Sequence, residues 1–309
     1  MKSRKKRRAA PNRSAPSNAT VLDTFTEQDL DSWSTRSIDL QSYADRVYFD
    51  LERQRAAHHE DLCAALRAVS PIAVSVEGWV RVTDWRWNLT PLSPAGSLRG
   101  IGGRFNIGDE LDRARGRAFP CLYIAQDVET AYREYFGGPL LSHSAQLTLG
   151  ELALRRPTSF TTFALQGTLD QVFDLRQHNG LAAFTRIIAK FDLSSDTKAF
   201  ARKTNQKQRQ LIATPHQLWK RLLLSPAGWR AEPQLHGIPA PNQMFGRFIR
   251  DAGFDALIYP SQQGGKTCLA IFPENLRSST SRIEVVGAVP PGATCTVMDK
   301  DHPCLDGLP

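Results

Sequence analysis

An α+β fold is predicted, with mixed sheets flanked by helices and a helical segment ahead of them. Three observations carry this. Short apolar or alternating runs bounded by Gly, Pro and Asp recur at 74–82, 121–125, 160–165, 256–259, 267–272 and 284–289, which is the pattern of strands. Stretches of helical spacing lie between these runs and not in a separate block. Strands and helices also fail to alternate in the regular way that builds a doubly wound parallel sheet.

Taken in order, residues 1–26 read as a basic tail. Positions 1–20 hold Lys2, Arg4, Lys5, Lys6, Arg7, Arg8 and Arg13 and no acid, so nearly all of the formal charge of +8 sits here and the rest of the chain is close to neutral. Such a composition cannot offset the entropy of ordering and is expected to be disordered. It is expected to touch nucleic acid weakly through phosphates, or to serve as a solvated tail. Residues 27–68 are expected to be mostly helical. Leu40, Tyr43, Val47, Tyr48 and Leu51 recur at three- and four-residue spacing, Leu62, Leu66 and Val69 continue the face, and Ser37 or Asp39 is placed to cap the longer piece. This extension, 27–73, ends at Ser70-Pro71, and the main domain is expected over 74–290.

Within that domain, helices are expected at 127–136, 169–175, 180–189, 215–224 and 242–252. The first has Asp127 or Gln126 at its N-cap and Glu129 in its first turn, where the helix dipole favours a carboxylate. The polar, basic stretch 194–210 reads as an exposed connection or a helix. Past Pro290 the chain is rich in Pro, Gly and Asp, and 291–309 is expected to fray as a flexible tail.

Composition excludes several classes. With 309 residues, 41% hydrophobic and 23% charged, the chain buries a sizeable core, which rules out wholesale disorder and fibrous repeats. It has no run of 18 apolar residues, which excludes a membrane-spanning helix, and no apolar stretch after the basic start, which excludes a secretory signal. The 5 cysteines are odd in number and form no CxxC pair. That fits a reducing, cytoplasmic setting and argues against a disulfide framework and a zinc ribbon.

Five places could carry chemistry. Arg81 lies in a strand-like run between Val80 and Val82; facing inward it would need an anion, and by default it faces out. Gly100-Ile101-Gly102-Gly103-Arg104-Phe105-Asn106 offers close backbone approach beside a guanidinium, or is an ordinary loop; it is not the GxGxxG of a dinucleotide fold. Tyr123 in its strand is either half-buried packing or a ring for a planar heterocycle. Glu134 shares a helix side with the small Ala131, and alone would be a surface glutamate. Ser261 ends a strand in Tyr259-Pro260-Ser261, where its hydroxyl could face a cleft or serve the turn; without GxSxG it is not read as a nucleophile. The pair His58-His59 reads as surface, and no His/Cys/Asp cluster has ligand spacing.

Arg81, Gly102-Gly103-Arg104-Phe105-Asn106, Leu122-Tyr123-Ile124-Ala125, Ala131 with Glu134, and Tyr259-Pro260-Ser261 stand in the order seen in RES-domain proteins, and over 74–290 the chain resembles that family. Gly228-Trp229, Gly237-Ile238-Pro239-Ala240-Pro241, Phe245-Gly246-Arg247, Gly253-Phe254-Asp255 and Cys268-Leu269-Ala270-Ile271-Phe272-Pro273 extend the likeness. Phe105 stands where Trp is usual, and the 109–120 gap is longer than usual. The resemblance implies an ADP-ribosyltransferase-like fold and a toxin that consumes NAD+ as its substrate, neutralised by a partner antitoxin of the Xre type. It implies that Arg81 and Arg104 hold the pyrophosphate or ribose region, with Asn106 beside them. Tyr123 would meet the nicotinamide end, Glu134 would be the catalytic carboxylate, and Ser261 would complete the polar set.

The implied chemistry is consistent with those residue types. Breaking the N-glycosidic bond of NAD+ develops oxocarbenium charge on the ribose, which a fixed carboxylate stabilises. The cationic ring leaves neutral, so neither a strong general acid nor a metal is required. The expected activity is NAD+ cleavage as a glycohydrolase or phosphorylase. The alternatives are ADP-ribosyl transfer to a macromolecule, and an inactive RES-like binding module with a nucleic-acid-touching tail. The extension at 27–68 is expected to gate the site or dock an inhibitor.

Overall fold

The structure is a computed structural model that describes residues 26–111, 116–137 and 159–305. The expected tail therefore lies outside the described residues except for Thr26, as does the end of the chain past 305. The chain forms two compact units, Met1–Ser42 and Tyr43–Pro309. In the first, Thr26 starts helix α1 (Glu27–Ala57). Its N–H donates to the Asp29 carboxylate at 3.0 Å, and its hydroxyl accepts from the Asp29 N–H at 3.2 Å. This reciprocal cap moves the helix start well before Ser37 and Asp39, which lie inside the helix instead of capping it. Among the described residues no helix is long and apolar enough to cross a membrane.

In the second unit the remainder of α1 and α2 (His59–Arg67) pack into the main core: Ala44, Tyr48, Leu62, Cys63 and Leu66 share one cluster with Phe173, Phe245 and Phe248. This cluster holds residues from both sides of the boundary expected near residue 73. Leu62 is fully enclosed. Leu62→Ala is expected to cost about 3 kcal/mol, read by urea unfolding, because the cavity left in such a core collapses only in part. A loss below roughly 1 kcal/mol would mean that α2 is only loosely docked.

The strands are β1 (Ile72–Ser75), β2 (Trp79–Asp84), β3 (Leu122–Ala125), β4 (Phe160–Asp174), β5 (Ala256–Pro260), β6 (Thr267–Ile271), β7 (Arg282–Val286) and β8 (Val297–Met298). They form one sheet in the order β2-β3-β6-β5-β4-β7-β8, with β1 on β4 and β2 pairing with β4 as well as β3. All pairings are antiparallel except β4 with β5. Both faces of the central strands are covered. Leu122, Ile124, Ile258, Leu269 and Ile271 enter one core, whereas Cys121, Ala125, Leu257, Tyr259, Cys268 and Ala270 enter the other. That double burial is why these strands read as continuous apolar runs.

Three expectations need correction. Residues 74–82 are two strands, β1 and β2, with both lying on the long β4. Residues 169–175, expected as a helix, lie mostly in β4, whose pairing with β1 shifts register between Ile72 and Val74. The extra residue of that bulge puts the buried side chains at Leu169, Val172 and Phe173, the three- and four-residue spacing of a helix face. The segment past 290, expected to fray, instead returns to the sheet. β8 pairs with β7, Met298 is fully buried, and a disulfide joins Cys295 to Cys304. The remaining cysteines, Cys63, Cys121 and Cys268, are free and buried.

The other helices are α3 (Val128–Phe136), α4 (Ala182–Ile188), α5 (Ser195–Lys203), α6 (Pro215–Leu222), α7 (Pro226–His236) and α8 (Pro241–Asp251). Asp127 caps α3 by accepting from Thr130 N–H at 2.7 Å. The stretch at 194–210 begins as α5, capped by Ser194. α7 was not expected from the sequence.

Candidate active site

β2 and β3 share a single residue pair, Val80 with Ala125. Beyond it a cleft of about 370 Å³ is lined from both strands, by Arg81, Val82 and Thr83 on one and Cys121, Tyr123 and Ile124 on the other. α3 adds Ala131 and Glu134, the glycine loop adds Gly103 and Arg104, and the start of α7 adds Pro226, Trp229 and Arg230.

Arg81 faces inward and is 7% exposed. One terminal N–H donates to the Ser93 carbonyl at 2.8 Å, its Nε has no partner, and it makes no ion pair among the described residues. Burial pulls its pKa down to about 10, so it stays a cation near neutral pH. Arg104, equally buried, donates to the Leu224 carbonyl at 2.7 Å and lies 5.9 Å from the Tyr259 ring centroid, again without an acid partner. Two enclosed guanidinium groups in one cleft, neither in an ion pair among the described residues, suit an anion.

The glycine loop is held from beneath. Asn106 is completely buried and does not reach the cleft. Its side-chain oxygen accepts from Gly103 N–H and from the Tyr123 hydroxyl, both at 2.9 Å, and its amide donates to the carbonyls of Ser97 and Phe119. The Tyr123 hydroxyl in turn accepts from Phe105 N–H at 2.8 Å. That hydroxyl is therefore committed to the loop, and only the Tyr123 ring is offered to the cleft. Burial raises its pKa further. A Cβ on Gly103 would sit 2.5 Å from that ring, so the approach requires glycine. From α8, the Gln243 amide donates to the carbonyls of Ile101, Gly103 and Asn106.

Glu134 projects from α3 with both oxygens occupied. Ser261 Oγ donates to Oε1 at 2.5 Å and Gln263 Nε2 donates to Oε2 at 3.3 Å. Ser261 Oγ also accepts from the N–H groups of Gln263 and Gly264 at 3.1 and 2.7 Å, so its one proton is directed to the carboxylate. The structure thus brings Arg81, Arg104, Tyr123 and Glu134 to one cleft, joins Ser261 to Glu134 and leaves Asn106 underneath. Gln263 and Arg230 were not singled out from the sequence, and Tyr259 and Trp229 stood there only as parts of the motifs Tyr259-Pro260-Ser261 and Gly228-Trp229, with no role given to either. Gln263 and Tyr259 flank the Ser261 turn, and α7 could have been found from Ser225-Pro226 at one end and Gly237 at the other. Among the described residues no group of three or more His, Cys, Asp or Glu side chains is placed to hold a metal ion.

No curated protein matches the chain. Among solved structures, the crystal structure of the M. tuberculosis MbcT–MbcA toxin–antitoxin complex is similar at 16% identity, with a TM-score of 0.41, over 74% of this chain and 90% of that one. Residues 79–290 match the RES domain and include every cleft residue named above. With that match spanning well over half of its length, the chain belongs to the RES domain family.

Proposed function

We propose that the protein consumes NAD+ by cleaving the bond between nicotinamide and ribose. One observation supports this above the others: a doubly held carboxylate, Glu134, shares a cleft with an aromatic ring and two buried arginines that make no ion pair among the described residues. The diphosphate is the anion that the two guanidinium groups await. The nicotinamide packs on the Tyr123 ring. As the C–N bond breaks, its electron pair leaves with the ring, which becomes neutral, and the positive charge passes to the ribose. Glu134 faces that charge, with Ser261 and Gln263 fixing its orientation in advance. Water as acceptor gives ADP-ribose and phosphate gives its phosphate ester; transfer to a protein side chain is the other outcome of the same cleavage. Such an activity is toxic to its own cell, and an Xre-type antitoxin is the partner we propose.

The test is chromatography of NAD+ incubated with the purified protein. Released nicotinamide supports the reading, and the co-product names the acceptor. If no nicotinamide is released with water, phosphate or cell lysate as acceptor, the reading fails.

Arg81 provides a test of a different kind. Arg81→Met is expected to raise KM for NAD+ about tenfold or more, because a charge-assisted contact is lost. It should also stabilise the free protein, by about 1 kcal/mol or more, because an uncompensated buried cation is replaced by hydrocarbon. Kinetics and urea unfolding on one preparation check both, and a destabilised variant would mean that Arg81 is paired in solution.

A further inference from the structure

A second cavity, about 470 Å³, lies within the Tyr43–Pro309 unit and shares no lining residue with the first. Its walls come from α1, α4, α6, α7, α8 and the segment 209–212. Most of that wall is hydrocarbon, including Leu51, Phe184, Leu218 and Phe245. Its volume falls within the range of small-molecule sites, roughly 300 to 1,000 Å³.

The charged residues are gathered and unbalanced. Among the described residues, Arg55, Arg209 and Arg221 line the cavity with Glu232 as the one carboxylate. Glu232 binds both Arg209 and Arg221, the latter at 2.6 Å. Arg55 is held at 2.7 Å by Glu52, which also binds Arg247 at 2.8 Å. Four guanidinium groups thus share two carboxylates, a surplus of positive charge beside an apolar wall. Burial and the neighbouring Arg221 push Arg209 down to about 10, the direction expected of a crowded cation. Nothing in the NAD+ reaction uses this cluster.

We infer that this cavity binds a small amphipathic monocarboxylate, its hydrocarbon part along the Phe184–Phe245 wall and its carboxylate among Arg55, Arg209 and Arg221. The occupant must supply the missing negative charge, which a neutral lipid does not. It must also cover hydrocarbon over most of its length, which a nucleotide does not. A planar carboxylate matches the fork of a guanidinium, and the other guanidinium edge can remain on Glu232.

The experiment is isothermal titration calorimetry of the intact protein with decanoate, and with decan-1-ol and decyltrimethylammonium as controls. Decanoate should bind with a stoichiometry of one, decan-1-ol at least about tenfold more weakly, and the cation not measurably. Arg209→Gln and Arg221→Gln should each weaken decanoate about tenfold and leave decan-1-ol unchanged. Leu218→Trp, which fills the cavity, should abolish binding of both. Failure of decanoate to bind, equal binding of acid and alcohol, or arginine variants without effect would overturn the inference. If an arginine variant unfolds, the acid–alcohol comparison on the native protein decides alone. The measurement reads binding and not turnover, so it stands whether or not NAD+ is cleaved.

Discussion

Glu134→Gln is expected to lower nicotinamide release roughly 10³-fold while leaving KM for NAD+ within a few-fold of the parent. The substitution keeps the shape and removes the charge. Ser261 can still donate to the remaining oxygen, and the amide of Gln263 can turn to accept from the new one. Glu134 makes no ion pair among the described residues and stands half-buried at the cleft, so the thermal midpoint should hardly change. Opposite charges at about 4 Å are worth between 1 and 4 kcal/mol at the dielectric of water or of a protein surface, and loss of that attraction falls most heavily on the transition state, where the charge has moved from the ring to the ribose. A fully active Glu134→Gln with a normal melting profile would exclude this carboxylate from the chemistry.

Gly246→Ala is expected to destabilise the protein by about 3 kcal/mol, although helix propensity alone favours alanine by roughly 1 kcal/mol. Gly246 lies inside α8, where the helix crosses the backbone of the glycine loop. An added Cβ would stand 2.0 Å from the Phe105 carbonyl oxygen and 2.7 Å from its carbon. Both are backbone atoms, so neither can swing aside. The neighbouring residues are Arg104 and Asn106, and Gln243 on the same helix anchors the loop through three carbonyls. Relief of the clash must therefore displace Arg104, and KM for NAD+ should rise with the loss of stability. Urea unfolding and initial-rate kinetics check the two effects. A variant as stable as the parent would show that the helix and the loop stand further apart.

The sequence showed the strands that are buried on both faces, because double burial writes itself as an apolar run. It misled at 169–175, where a bulge in β4 imitates helical spacing, since periodicity cannot separate a register shift from a turn of helix. α7 was hidden by Pro226 and Pro233, residues that ordinarily break helices; the first sits harmlessly at the helix start. The C-terminal strand was hidden by composition, because Pro and Gly there describe the turns and not the pairing. Within the cleft, the residue types were legible but not their division of labour. Asn106 and the Tyr123 hydroxyl look like ligand contacts in a string of letters, yet both are committed to shaping the loop. Gln263 was invisible because its relation to Glu134 spans 129 positions.

α7 has one end in each cavity: Trp229 and Arg230 line the cleft at the sheet, and Glu232 and His236 line the second cavity. Ser225 caps it and Gly237 closes it, so it is a short element with defined ends. Free energy is a function of state. An occupant of either cavity that shifts this helix therefore changes the affinity of the other cavity, and the reverse effect has the same factor and sign. Whatever the second cavity does to NAD+ binding can thus be measured from the opposite side, by titrating its occupant with and without nucleotide and without following any reaction.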